Sequence, residues 1–206
     1  IEVYSIGSPI GKVDIAVDFD KYLEEITHIF HLAKIFGTDK IRIFSFFNAF
    51  DKREKVISYL CKMVEKAKEY GVELYHENEK DVYGDIADRV TDILQNVPGL
   101  KSIYDPANYL QVGEKADVTI NSLHAKADYF HIKDVIFETG QLVPAGYGDG
   151  MIDELLRRID DDKTLTLEPH LSVFDAYKNI DNTEMKHKFT YKDSNEAFDA
   201  AVSALK

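Results

Sequence analysis

Short β-branched and aromatic runs alternate with longer amphipathic helical patterns along the whole chain of 206 residues. This alternation constrains the fold strongly, because strands that are joined by helical crossovers run parallel and are covered by helices. Two α/β architectures satisfy it, an open doubly wound sheet and a closed (β/α)₈ barrel. The strand candidates are residues 2–6, 41–46, 72–77, 100–105, 129–134 and 164–170.

The segments between the strand candidates carry the 3.6-residue periodicity of amphipathic helices. Residues 20–36 have one apolar face, and Gly37 ends that pattern. A second helix is predicted to open at Asp51, where Glu54 three residues later completes a capping-box pattern, and to end at Gly71. Further helices are predicted at residues 85–94, 152–159 and 193–205, and a short helix at most within 115–123.

The turn after the first strand candidate tests the nucleotide-binding version of the open sheet. A nucleotide-binding open sheet needs a glycine-rich turn there, with the phosphate at a helix N-terminus. Residues 5–10 instead read Ser-Ile-Gly-Ser-Pro-Ile, and the sequence contains neither a dinucleotide fingerprint nor a Walker A motif. The sequence therefore disfavours a nucleotide-dependent enzyme.

Charge and composition exclude further classes of protein. The chain has 37 acidic and 25 basic residues, a net charge of −12, whereas duplex-binding proteins carry basic patches, so we expect no nucleic-acid partner. No apolar run is long enough to span a bilayer and no signal peptide opens the chain, so we expect no membrane partner. The one cysteine, Cys61, cannot form an internal disulfide, which predicts a reducing, cytoplasmic location.

Four successive strand candidates each end on a side chain that can bind a metal ion: Glu77, Asp105, His131 and Glu168. In a parallel barrel the C-terminal strand ends build the active site, so these side chains would converge. Their carboxylates would repel one another, and a divalent ion would relieve this, leaving a formal charge of about −1. Each residue alone also fits a solvated strand end, a helix cap or a core histidine, but their recurrence favours a metal site. The donor set suits Mn²⁺, Mg²⁺, Co²⁺ or Zn²⁺.

Short sequence words around these positions add a resemblance to a known family. They are Tyr-His-Glu-Asn-Glu (75–79), Asp-Pro-Ala-Asn (105–108), His-Ile-Lys-Asp (131–134), Pro-Ala-Gly-Tyr-Gly-Asp-Gly (144–150) and Leu-Glu-Pro-His (167–170). In this order they resemble the xylose-isomerase-like TIM-barrel superfamily, in particular its sugar phosphate isomerase/epimerase branch, over residues 2–206. The resemblance implies a single (β/α) TIM-barrel domain over residues 1–206.

The resemblance also implies a reaction and a site. The metal ligands would be Glu77, Asp105, His131 and Glu168, holding one divalent ion. The activity would be isomerisation or epimerisation of a sugar or sugar phosphate, by proton transfer through a metal-stabilised enediolate in which Glu77 and Glu168 move the proton. Two alternatives stay open: a metal-dependent dehydratase of a polyol or keto-sugar, and a non-catalytic truncated member of the family.

Three further residues near the strand ends are candidate substrate contacts. Lys133 shares a strand face with His131 by alternation, although a lysine of the barrel wall or the surface would fit equally. Asn108 could hydrogen-bond a hydroxyl group or shape a turn, and His170 could line the pocket or cap its strand.

The segment after Lys133 contains an acidic residue and three glycines. Asp134, at the end of its strand candidate, could cap a turn. The glycines are predicted to provide turn dihedrals, with phosphate binding through their backbone N–H groups as the weaker alternative. They are Gly146, Gly148 and Gly150.

The sequence departs from the family pattern in two places. Residues 2–6 resemble the third strand of the family, so we expect the first two βα units to be missing and two sheet edges to be exposed. Residues before Ile1 would complete the barrel, or a partner, such as a second copy in a homodimer, or a rearrangement would cover the gap. The endonuclease IV branch has a histidine where Asn108 stands, and its Asp-x-His word falls near Gly140 and Leu142, which are not ligands. Together with the net charge, this argues against a role in DNA repair.

Overall fold

The computed structural model describes residues 1–160, 162–172 and 186–206. The chain forms two compact units, Ile1–Ile103 and Tyr104–Lys206. Within the described residues no helix is both long and apolar enough to cross a membrane. A single domain over residues 1–206 stays a prediction.

The first unit alternates helices with parallel strands, as the sequence predicts. Strand β1 pairs with β2 from Lys40 opposite Glu73 to Ile43 opposite His76, and β2 pairs in parallel with β3. Because β3 ends at Tyr104, its last residue belongs to the second unit. The elements are helices α1 (Phe19–Ile35), α2 (Arg53–Glu69) and α3 (Ala87–Asn96), strands β1 (Lys40–Ile43), β2 (Glu73–Glu77) and β3 (Lys101–Tyr104), and a 3₁₀ turn at Tyr83–Asp85.

The core of the first unit lies between its strands and the apolar faces of its helices. Phe30 of α1 and Leu60 of α2 are fully buried in the same cluster as Ile41 and Ile43 of β1. Burying one such side chain contributes roughly 1.5–3 kcal/mol relative to exposure. This packing fixes the strands whose ends carry the candidate site residues.

The second unit combines a parallel pair of strands with an antiparallel hairpin. Strand β4 pairs in parallel with β7, and β5 pairs antiparallel with β6. The elements are helices α4 (Pro106–Gln111), α5 (Ala116–Leu123), α6 (Ile152–Arg158) and α7 (Ser194–Ala204), strands β4 (Tyr129–Ile132), β5 (Asp134–Ile136), β6 (Gln141–Val143) and β7 (Thr164–Leu167), and a 3₁₀ turn at His124–Lys126.

The strand predicted at residues 2–6 does not form. Only Ile6 makes a parallel bridge, to Ile41, with its N–H donating to the Lys40 carbonyl. The chain then turns, with the Lys12 N–H donating to the Pro9 carbonyl. A bend so close to Ile6 leaves too few residues in register to extend a ladder.

The capping box predicted at Asp51 is also wrong. Helix α2 begins at Arg53, and its N-cap Lys52 makes no side-chain capping bond. The two acidic side chains pair with adjacent cations instead: Asp51 lies 2.6 Å from Lys52 Nζ, and Glu54 lies 2.6 Å from Arg53 Nη1. In contrast, the Asp-x-x-Glu start of α7 does cap, because Asp193 accepts from the N–H groups of Asn195 and Glu196.

The single strand predicted at 129–134 is divided in the structure. It leaves the parallel sheet after Ile132, and Asp134 opens the hairpin of β5 and β6. The hairpin has its own sequence signal, which a single strand over 129–134 does not account for: the apolar runs at 135–137 and 142–143 flank a turn containing Gly140. Lys133, at the division, is buried.

Candidate metal centre

In the second unit, strand ends bring together Asp105, His131 and Glu168. Each offers a ligand atom, and these atoms lie within 4.8 Å of one another. Asp105 follows β3, His131 lies near the end of β4, and Glu168 follows β7. The Glu168 N–H donates to the Ile132 carbonyl at 3.2 Å, so the pairing of β4 with β7 fixes where its side chain begins.

Glu77 occupies the corresponding place in the first unit, as the last residue of β2. Its carboxylate is buried and lies 3.0 Å from Arg42 Nη1 of the neighbouring strand β1. The register places Glu77 opposite Ile103 of β3. Arg42 was not predicted as a site residue, although a charged residue between two apolar isoleucines of a strand is a signal that its side chain has a partner.

Asp105 holds two roles at once. It is the N-cap of α4, where its Oδ1 accepts the Asn108 N–H at 3.0 Å, and its Oδ2 lies 2.9 Å from Lys133 Nζ. Helix α4 was not predicted, yet an Asp followed by Pro at the first helical position is a typical helix start.

Lys133 and Asn108, two predicted substrate contacts, meet each other in the second unit. Lys133 Nζ donates to Asn108 Oδ1 at 2.7 Å, and both side chains are buried. Lys133 therefore bridges Asp105 and Asn108, which excludes the reading of a surface lysine. Asn108 lies within a helix and not in a turn.

His131 contacts a carboxylate on one side and a phenol on the other. Its Nδ1 lies 2.9 Å from Glu168 Oε2, and its Nε2 lies 3.2 Å from the Tyr129 hydroxyl. Tyr129 was not predicted as a site residue, although strand alternation puts it on the same face as His131. An imidazole held through its second nitrogen keeps its orientation and its tautomer, as metal-ligating histidines require.

Glu168 is surrounded by groups that favour its ionised form. His170 Nε2 lies 3.7 Å from Glu168 Oε1, on the side opposite to the His131 contact. Burial by itself would raise the pKa of Glu168, but hydrogen bonds from His131 and His170, with the charges of His131 and Lys133, hold that pKa well below its usual range. The Glu168 carboxylate is therefore ionised at neutral pH.

Asp134 organises the glycine-rich loop that follows the hairpin. Its Oδ2 accepts the N–H groups of Gly146 and Gly148, and its Oδ1 accepts those of Gly150 and Val135, all at 2.9–3.0 Å. These three glycine N–H groups point at a protein carboxylate, so the alternative that they bind a phosphate is wrong. Asp134 caps this loop, which is the turn-capping role that the sequence allowed for it.

The chemistry of the donor set fits a divalent cation. The donors are two carboxylates and one imidazole on separate strand ends, and first-row divalent metals and magnesium accept such ligands. The second nitrogen of the imidazole contacts Tyr129, which orients the ring. The side chains of Asp105 and His131 are also buried, which limits competition from water. The cluster could thus hold a metal ion.

Parallel βα units with a carboxylate and imidazole cluster at the strand ends define an α/β protein with a candidate metal centre. The sequence model of the family described as Xylose isomerase-like TIM barrel matches residues 2–189. The chain therefore belongs to the xylose isomerase-like TIM-barrel family, which confirms the predicted family and fold class.

Several solved structures are similar to this chain. The IOLI protein with a binding zinc atom has a TM-score of 0.73 and 15% identity, covering 100% of this chain and 75% of that one. L-ribulose 3-epimerase has a TM-score of 0.71 and 16% identity, covering 98% and 72%. The probable 3-DHS dehydratase AsbF from Bacillus anthracis has a TM-score of 0.70 and 20% identity, covering 87% and 73%. At these identities the likeness shows the fold alone, and comparison with curated protein sequences gives no match.

Proposed function

We propose that this protein is a divalent-metal-dependent isomerase or epimerase of a sugar or sugar phosphate. The observation that carries the proposal is the cluster of Asp105, His131 and Glu168, whose ligand atoms lie within 4.8 Å of one another. Membership of the xylose isomerase-like family and the fold shared with an epimerase support it. The ion would be Mn²⁺, Mg²⁺, Co²⁺ or Zn²⁺. A cytoplasmic location, a homodimer and the lack of a nucleic-acid partner stay predictions.

We further propose that Glu77 is the fourth ligand. Its register partner on β3 is Ile103, two residues before Asp105. Glu77 and Asp105 therefore both lie at the C-terminal ends of neighbouring parallel strands. Glu77 is buried and paired with Arg42, which favours its ionised form, the form in which a carboxylate binds a metal ion.

Proton transfer next to a carbonyl is the chemistry proposed for these residues. A bound divalent ion would polarise the substrate carbonyl and the hydroxyl on the next carbon, and so would acidify the C–H of that carbon. Glu168 is proposed to accept that proton, since its carboxylate is ionised at neutral pH and is therefore free to bind one. Glu77 is the second carboxylate that accepts or returns a proton. Epimerisation requires the two to act on opposite faces of the carbon, and isomerisation requires one face.

Three residues are proposed to hold the substrate in place. Lys133 and Asn108 form a buried hydrogen-bonded pair, which gives them fixed positions from which to bind oxygen atoms. His170 lies beside Glu168 and orients that carboxylate as well. Fixed polar groups of this kind position a substrate with little loss of side-chain entropy on binding.

Dehydration of a polyol or keto-sugar is a second candidate on the same residues. Loss of water needs a proton donor for the departing hydroxyl, and the buried ammonium of Lys133 beside Asp105 is a group of that kind. The fold shared with a probable 3-DHS dehydratase supports this alternative.

Metal content tests the proposal first. Purified protein incubated with Mn²⁺ or Zn²⁺ and then desalted should retain one equivalent by mass spectrometry, and Glu168→Gln and His131→Ala should retain less. His28→Ala, which changes an exposed histidine of α1, is the matched control and should keep the full equivalent. A wild-type protein without retained metal would contradict the proposal.

Isotope exchange then separates the two reactions. Incubation of the metal-loaded protein with a panel of ketoses in D₂O should place deuterium at the carbon next to the carbonyl if the protein is an isomerase or epimerase. Formation of a new C=C bond with loss of water would identify the dehydratase. Retained metal with neither outcome would favour the non-catalytic alternative.

A further inference from the structure

A lysine lies next to the proposed metal ligands, so the charge of the cluster differs from the one counted from the sequence, which considered the ligands alone. Lys133 Nζ lies 2.9 Å from Asp105 Oδ2, and the side chains of both are almost completely buried, with 5% and 0% of their area exposed. With His131 neutral, as a metal ligand must be, Asp105, Glu168 and Lys133 together carry one negative charge. A divalent ion would turn this into one positive charge.

Glu77 does not reverse this result. In the first unit its carboxylate is paired with Arg42 at 3.0 Å, so that pair is neutral as a whole. Counted from the sequence, three carboxylates and a divalent ion give a charge of −1; a site that held all four proposed ligands would carry +1 once the cations of the two ion pairs are counted.

We propose that Lys133 makes the metal-loaded site selective for anionic ligands, namely a polyol or keto compound that carries a carboxylate or a phosphate group. This inference rests on the proposed function and narrows its substrate class. A buried positive charge attracts an anion more strongly than the same charge in water, because the surroundings screen it less. The chain as a whole carries a net charge of −12 and would repel an anion, so the attraction has to come from the site itself.

Equilibrium binding of matched polyols tests this without turnover. D-Glucitol, D-gluconate and D-glucitol 6-phosphate share a six-carbon chain and have no aldehyde or ketone group. They differ in bearing no charge, a carboxylate or a phosphate. Calorimetric titration of the metal-loaded wild-type protein should give at least about tenfold tighter binding of one of the anions than of D-glucitol. The better anion identifies which group the site takes.

A carboxylate or phosphate also binds a metal directly, so variants of Lys133 are needed to assign the preference. Lys133→Gln, which keeps a polar group beside Asp105 and Asn108, should lower the preference to about threefold or less while metal content is unchanged. Lys133→Arg should retain it. Lys21→Met, which removes one positive charge from an exposed position of α1, is the control and should match wild type.

The outcomes separate this inference from the proposed function. A preference that survives in Lys133→Gln would overturn the inference, as would wild-type protein that holds metal but binds neither anion better than D-glucitol; the metal centre would stand in both cases. The wild-type comparison needs no variant to fold. Failure of the wild-type protein to hold metal would overturn both proposals.

Discussion

The Asp134 carboxylate accepts the Gly150 N–H at 2.9 Å, and an added Cβ on Gly150 would lie 2.7 Å from the same oxygen. Three further backbone N–H groups, those of Val135, Gly146 and Gly148, also donate to this buried carboxylate. Burial raises the pKa of Asp134, and these hydrogen bonds oppose the rise. Glycine is needed at positions 148 and 150 because the carboxylate fills the space that a side chain would take.

Gly148→Ala should destabilise the fold by about 2 kcal/mol or more, because its methyl group would overlap the Asp134 carboxylate and the Val135 carbonyl. The free energy of unfolding in urea measures this. Gly7→Ala is the matched control, since its Cβ would meet Arg42 Nη2 at an ordinary 3.7 Å and its φ is not positive. Equal effects of the two substitutions would contradict the explanation.

The stability of the protein should fall as the pH is lowered from about 6.5 to about 4. His76 is fully buried with its Nε2 3.0 Å from Ser45 Oγ, and burial lowers its pKa to about 4. The unfolded chain binds the proton below about pH 6.5 and the folded chain only below about pH 4, so this group costs about 3 kcal/mol across the window and nothing further below it.

Urea unfolding at several pH values checks this contribution of His76. The decline should be smaller in His76→Gln, which cannot take up a proton, and unchanged in His28→Gln, which alters an exposed histidine. If the free energy of unfolding of His76→Gln fell with pH as much as that of wild type, the pH dependence would come from other groups.

Tyr129→Phe should weaken metal binding by roughly 10- to 100-fold, because His131 would lose the hydroxyl that lies 3.2 Å from its Nε2. Titration of metal-free protein with Zn²⁺ measures the affinity. Tyr147→Phe removes a hydroxyl from an exposed tyrosine and should have no effect. Unchanged affinity in Tyr129→Phe would show that this contact does not support the metal ligand.

Arg42→Met should cost about 3 kcal/mol of stability, because the buried Glu77 carboxylate would lose the cation 3.0 Å away. If Glu77 is a ligand as proposed, Mn²⁺ should stabilise Arg42→Met more than wild type. Urea unfolding with and without Mn²⁺ measures both effects. Arg157→Met, which breaks the more exposed pair with Glu154, is the control. Equal stabilisation of Arg42→Met and wild type by Mn²⁺ would count against Glu77.

The sequence indicates the elements that carry their own periodic signal. Helix α1 lies within one residue of its predicted bounds, and β2 ends at Glu77 as predicted, since an amphipathic face or a buried run is a property of neighbouring residues. Strand ends in a parallel fold lie at one edge, so Asp105, His131 and Glu168 could be selected before any contact was known.

Only the tertiary structure decides the charge of the candidate metal site and the hydrogen-bond partner of the glycines at 146, 148 and 150. Arg42 meets Glu77 and Lys133 meets Asp105 through pairings of residues that are distant in the chain, and no local pattern encodes which cation will meet which carboxylate. The partners of Asp134 also depend on the fold, because three of its four N–H donors lie 12 to 16 residues later in the chain, in the loop after the hairpin. The residue types at the strand ends can be read from the sequence. Their desolvation and charge pairing depend on packing, because packing decides which groups are shielded from water and which charges lie next to one another.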